Sequence, residues 1–115
     1  MLFRSAAFTP DQRFVYLANQ GANAVTVVDV GRWEVAAVLE AAGFAEPHGV
    51  AISPDGRYAY VSNRNLKGTY RPQGAAGDGD PPVGNVVVID ARTRTVEATI
   101  DVGRGPSGIA IVPDQ

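Results

Sequence analysis

The feature that most constrains this chain is that it repeats itself. Residues 7–19 read A-F-T-P-D-Q-R-F-V-Y-L-A-N and residues 51–63 read A-I-S-P-D-G-R-Y-A-Y-V-S-N, at a constant offset of 44. Further on, A-V-T-V-V-D at 24–29 returns as N-V-V-V-I-D at 85–90, at an offset of 61. The same 61 relates Val35 to Val96 and Leu39 to Ile100, so the second copy carries 17 additional residues. A third copy opens at Ser107 with S-G-I-A-I-V-P-D-Q, against H-G-V-A-I-S-P-D-G from His48. A unit repeated in this way is one supersecondary element that buries its apolar face only against its neighbours.

Each copy reads as four strands. In the second, the first strand is Gly49–Ser53, closed by the turn Pro54-Asp55-Gly56-Arg57, in which Pro presets φ and Gly accepts a positive one. The second strand is Tyr58–Asn63, aromatic and β-branched. The third, Val86–Asp90, is continuously apolar before its acid, as a strand buried on both faces would be. In the fourth, Thr95–Val102, Val96, Ala98, Ile100 and Val102 alternate with Glu97, Thr99 and Asp101, so that one face meets water. No segment sustains a helical period. Four strands in about 44 residues match a propeller blade. The chain is therefore expected to be all-β, built of β-propeller blades of four antiparallel strands. Short strands would also suit an all-β sandwich, but sandwiches rarely repeat their sequence this closely.

The expected organisation is a partial β-propeller domain over 1–115. Repeat one covers about 6–47, repeat two 48–106 with an insertion at 65–84, and the start of repeat three 107–115. A closed propeller needs about four to eight blades. The propeller is thus expected to be incomplete, a fragment whose first partners are the remaining blades of a longer protein. Met1–Ser5 stands where a Pro-x-Gly opening would and is expected not to be native.

Composition closes several functional classes. A net charge of −2 with scattered basic residues offers no field for nucleic acid. The absence of cysteine removes disulfides, thiolate-bound zinc and thiol catalysis. No apolar run approaches the roughly 18 residues of a membrane span.

At S-P-D-G-R-Y-A-Y-V-S-N, followed by V-V-V-I-D and G-R-G-P-S-G-I-A-I, the chain resembles the YVTN-repeat β-propellers. The naming tetrapeptide stands here as Tyr60-Val61-Ser62-Asn63 and Tyr16-Leu17-Ala18-Asn19. The resemblance covers roughly 6–63 and 85–115. It implies a bacterial, periplasmic or extracellular protein whose first strands line a central channel, binding a small-molecule or protein ligand. It equally admits part of a haem- or metal-dependent oxidoreductase, or a hydrolase, whose catalytic residues lie mostly on other blades. Which cofactor, if any, would serve is not named by these residues.

Antiparallel reversals put the fourth-to-first links, 40–47 and 103–106, on one face with the second-to-third links, 20–23 and 64–84. His48, the sole histidine, belongs to that face near the channel mouth. It reads either as a haem or metal ligand or general base, or as part of a recurring Pro-His-Gly opening bonded to backbone. Its counterpart in the third copy is Ser107, so no ring of histidines forms within this fragment and no metal site is expected in it. Arg64, Lys67, Tyr70 and Arg71 bunch cations around an aromatic at the start of the insertion, a candidate anion- or sugar-contacting group. The competing reading is a solvated loop. Asp78-Gly79-Asp80 has too few acids for a calcium loop. Trp33 is expected to be a packing residue at the rim, and Asp29 and Asp90 to form Asx-type turns. No phosphate loop, nucleophile elbow or metal cluster is present.

Overall fold

The computed structural model of the chain describes residues 3–70, 83–103, 106 and 108–110, and the side chains from Ser5 onward. Eight strands follow one another: β1 (Phe3–Phe8), β2 (Phe14–Asn19), β3 (Ala24–Asp29), β4 (Glu34–Glu40), β5 (Pro47–Ile52), β6 (Tyr58–Asn63), β7 (Gly84–Asp90) and β8 (Thr95–Gly103). A single 3-10 turn, Gln20–Ala22, links β2 to β3. The strands form two four-stranded sheets, ordered β1-β2-β3-β4 and β5-β6-β7-β8. Every neighbouring pair is antiparallel. The two sheets are the two repeats: β1 and β2 shifted by 44 residues are β5 and β6. Asn19 and Asn63 both end a second strand, paired with Phe3 and Pro47 respectively.

Equivalence extends to irregularities. The first pair of each sheet carries a bulge at the same place, between Phe3 and Ser5 and between Pro47 and Gly49. The last pair bulges between Val27 and Val28 and between Val88 and Ile89, which leaves Ala36 and Glu97 as the extra residues. A bulge bends its strand and increases its twist. The second sheet has one further shift, between Gly84 and Asn85, that the first lacks.

The turns follow from side-chain chemistry. In the first repeat the Thr9 hydroxyl donates to Asp11 Oδ1 at 2.6 Å, the same oxygen accepts from the Arg13 N–H, and Phe14 N donates back to Thr9 Oγ1. In the second, Ser53, Asp55, Arg57 and Tyr58 reproduce each bond. Asp29 Oδ1 accepts from Arg32 N and Asp90 Oδ1 from Arg92 N, which are the expected Asx turns.

The core lies between the sheets: Tyr16, Ala18, Val25 and Val27 on one side, Val50, Ala59, Val61, Val87 and Ile89 on the other, with Phe44 from the link between them. Burying each large side chain contributes about 1.5–3 kcal/mol. Arg94, from the turn before β8, extends its guanidinium over the Phe14 ring at 4.9 Å. The Tyr16 phenol has its pKa raised by burial, an effect that the Arg94 charge opposes.

Two expectations fail at the outer strands. Trp33 is 77% exposed, not packed. It occupies the position of Arg94, and both have positive φ, 54° and 57°. Arg94 reaches back onto the preceding sheet, whereas no described sheet precedes Trp33. On β8 the alternation leaves neither face covered: Val96, Ile100 and Val102 are 44, 52 and 50% exposed. Leu39, the counterpart of Ile100, is partly buried against the core. The difference is the adjacent sheet, which β4 has and β8 lacks among the described residues.

Candidate functional site

The expected face is assembled as the reversals require. The link between β4 and β5 anchors Phe44 and Ala45 in the interior, 2 and 1% exposed, and so fixes the residue that follows, Glu46. Glu46 has φ 60°, a left-handed conformation that costs a non-glycine residue energy and persists only where its surroundings dictate it. Those surroundings are explicit. Its N–H donates to Asn23 Oδ1 at 2.9 Å, its carbonyl accepts from Arg64 N at 3.1 Å, and its carboxylate Oε1 accepts from Lys67 N at 2.8 Å. One residue thereby ties the β2–β3 connection of the first sheet to the β6–β7 connection of the second.

Asn65 organises the insertion in the same manner. It is fully buried, with φ 51°, a conformation Asn tolerates well. Its Nδ2 donates to the carbonyls of Tyr70 and Val83, both at 2.8 Å, and its Oδ1 accepts from Tyr70 N at 3.0 Å. The two ends of the insertion are therefore closed at a neck, and Asn65 N bonds Ala45 O to hold that neck on the link. Beneath it Asn63 Nδ2 donates to Asn85 Oδ1, and Asn85 Nδ2 to Gly43 O. Asn63 Oδ1 is buried without a hydrogen-bond partner among the described residues.

These connections enclose a cavity of about 200 Å³, lined by Gln20, Gly21, Asn23, Glu46, Lys67 and Thr69. No large apolar side chain lines it. Glu46 is 7% exposed and Lys67 exposed.

The candidates named from sequence are distributed around this face rather than gathered at one point. Lys67 lines the cavity. Tyr70 has its backbone on the neck, while its phenol, raised in pKa by burial, also feels the charge of Asp101 on β8. Arg64 is half-buried, and its Nε is buried without a hydrogen-bond partner among the described residues. His48 is half-buried and is the extra residue of the β5 bulge, since Pro47 pairs with Asn63 and Gly49 with Ser62. Arg71, Ser107 and Asp78-Gly79-Asp80 lie outside the described residues. Among the described residues no three His, Asp or Glu side chains gather to hold a metal ion. None of their helices is long and apolar enough to cross a membrane. Sequence reasoning missed Glu46, Asn23 and Asn65. Asparagine in a connection hints at left-handed backbone, but nothing in the sequence around Glu46 marks it.

A second cavity, about 270 Å³, opens on the opposite face between Asp11, Phe14, Tyr16, Asp55 and Arg92. Both carboxyl pKa values there are lowered, first by the Thr9 or Ser53 hydroxyl and then by a backbone N–H. These acids serve the turns.

No family model matches the chain. Antigen Lp49 of Leptospira interrogans is 31% identical over 100 residues, which cover 87% of this chain and 21% of that protein. Among solved structures, Kuenenia stuttgartiensis hydrazine synthase is similar at TM-score 0.74 and 27% identity, over 95% of this chain and 26% of that one. The WD40 repeats of RRP9 give TM-score 0.73 at 17% identity, over 96% and 30%. The dihydro-heme d1 dehydrogenase NirN in complex with DHE gives 0.69 at 26%, over 96% and 21%. These neighbours are β-propellers, and the two sheets are propeller blades. The chain spans about a fifth of Antigen Lp49 and under a third of each of these structures.

Proposed function

We propose that the chain is the ligand- or partner-binding part of a YVTN-repeat propeller of an exported bacterial protein. Binding occurs on the face formed by the β4–β5, β2–β3 and β6–β7 connections. The observation that carries this reading is Glu46, a buried carboxylate in left-handed backbone at the edge of a polar cavity. A strained residue held by three separate bonds marks a place where geometry is kept against its cost. Connections placed on a rigid scaffold are also where binding residues concentrate. Similarity to Antigen Lp49 of Leptospira interrogans along 87% of the chain supports a bacterial setting. The test is amide chemical-shift mapping of the chain against a library of small polar probes. Shifts are expected at Asn23, Glu46 and Lys67. Shifts confined to the Asp11 and Asp55 face would refute the choice of face.

A second reading has its own support. At 26–27% identity the chain is similar to hydrazine synthase and to the dihydro-heme d1 dehydrogenase NirN, and that similarity supports a redox reading. In that reading His48, carried on a bulge at the start of β5, would be a haem or metal ligand or a general base, with the remaining parts on further blades. Haem titration of the full-length protein and its His48→Ala variant separates the readings. A Soret band lost in the variant at unchanged melting temperature favours the redox reading, and loss of stability alone favours a structural His48.

A further inference from the structure

We infer that the cavity beside Glu46 is a site for a small zwitterion of the α-amino-acid class, which carries an ammonium and a carboxylate on one short skeleton. This rests on the reading of that face as the binding face and names its ligand.

The argument starts from two charges that do not neutralise each other. Glu46 and Lys67 both line the cavity. The contact between them is from Lys67 backbone N–H to Glu46 Oε1, at 2.8 Å. Among the described residues the Lys67 ammonium forms no ion pair. The carboxylate is anchored through one oxygen and the ammonium is free to swing, so a cation can meet Glu46 while an anion meets Lys67. A ligand bearing one charge would leave the opposite protein charge facing it across the cavity.

Rigidity differs between the two poles in a useful way. Glu46 is fixed at its N–H, its carbonyl and one carboxylate oxygen, by Asn23, Arg64 and Lys67. No entropy is lost in placing that acceptor when a ligand arrives. Lys67 sits on a flexible stem and can close over the ligand, as an exposed lysine does at little rotamer cost until it is engaged. The remaining lining residues, Gln20, Gly21, Asn23 and Thr69, offer amide, hydroxyl and backbone groups and no large apolar side chain. Size points the same way. At about 200 Å³ the cavity is smaller than the roughly 300–1,000 Å³ typical of drug-sized ligands and cofactors. A porphyrin does not enter it, and no large apolar side chain lines it for a hydrophobic ligand.

The experiment is isothermal titration calorimetry of the chain with serine, acetate and methylammonium, backed by amide shift mapping with the same three probes. Serine is expected to bind at least about tenfold more tightly than either singly charged probe, since each charge it carries meets a counterpart. Glu46→Gln, which keeps the side-chain shape and an acceptor for Lys67 N, is expected to weaken serine at least tenfold without weakening acetate, which loses a like charge opposite it. Lys67→Met is expected to weaken serine and acetate without weakening methylammonium, for the converse reason. Circular dichroism melting of both variants checks that the blades remain folded. Acetate or methylammonium binding as tightly as serine, with shifts at Asn23, Glu46 and Lys67, overturns the zwitterion and leaves the face as a binding site. Shifts at those residues from polar library probes but not from serine do the same. Absence of shifts there with every probe overturns both.

Discussion

Replacing Asn65 with Ala tests whether one buried side chain holds the neck of the insertion. The change removes three side-chain hydrogen bonds, two donated to the Tyr70 and Val83 carbonyls and one accepted from Tyr70 N. Each is worth about 1 kcal/mol net, and the stranded backbone partners add to the loss where they stay dry. Ala must also hold φ 51°, which costs an L-residue without a polar side chain about 1 kcal/mol. The sum is about 4 kcal/mol, a large part of the roughly 5–15 kcal/mol that stabilises a domain. Equilibrium urea unfolding followed by far-UV circular dichroism reads it directly. With a slope of about 1–3 kcal/mol per molar, the midpoint should fall by more than about 1 M. Asn65→Gly loses the same three bonds without the left-handed penalty, so it should be about 1 kcal/mol less damaging than Ala. A midpoint for Asn65→Ala within the error of the parent chain would refute the reasoning. So would a Gly variant less stable than the Ala variant, because backbone strain would then have been assigned the wrong sign.

Four further outcomes follow from named contacts. Gln12 holds φ 61° where the second repeat has Gly56 at φ 74°, so Gln12→Gly should stabilise the chain by about 0.5–1 kcal/mol in the same assay. Asp11 and Asp55 have pKa values lowered in the folded state, so their contribution is present above the ordinary carboxylate value and is lost as pH falls through the folded values. An acid titration of melting temperature should flatten at its low end in the Asp11→Asn, Asp55→Asn double variant. Gly84→Ala would set a Cβ 2.5 Å from the Asn63 carbonyl and against Pro106, which should cost about 1–3 kcal/mol by thermal melting. Trp33, at 77% exposure, should fluoresce as a hydrated indole and shift little in wavelength on unfolding.

The repeat made the strands legible to within a residue or two. Tyr58–Asn63 stands as read, and the first strand merely starts earlier, at Pro47, because the bulge at His48 lets pairing resume with Asn63. The bulges themselves were not legible, since an extra residue in a β-branched run leaves the alternation looking intact: Glu97 keeps its place in the pattern while slipping out of register. The site was only half legible. Strand reversals pointed to the face, and the cations bunched around Tyr70 named Lys67 as a candidate, but Glu46 is defined by a backbone angle that neighbours impose from 23 residues upstream and 21 downstream, at Asn23 and Lys67. Trp33 was misjudged for the converse reason: an aromatic packs only if a neighbour is there to receive it.

The two faces of the blades differ in how far repetition is kept. On the Asp11 and Asp55 face, the hydroxyl–carboxylate–backbone network recurs bond for bond, at 2.6 and 3.0 Å in both copies. A feature that recurs in every unit serves what every unit must do, which is to turn the chain between its first two strands. On the other face the copies part. After Asn19 the first makes one 3-10 turn, capped by Asn19 itself and closed by Asn23 at φ 51°. After Asn63 the second passes through Arg64 to Asn65 and an insertion closed at Tyr70 and Val83. Glu46 lies between them, its N–H bonded to the short connection and its carboxylate to the long one. The two connections are unlike, and the cavity lies where they meet, with the buried, left-handed Glu46 among its lining residues.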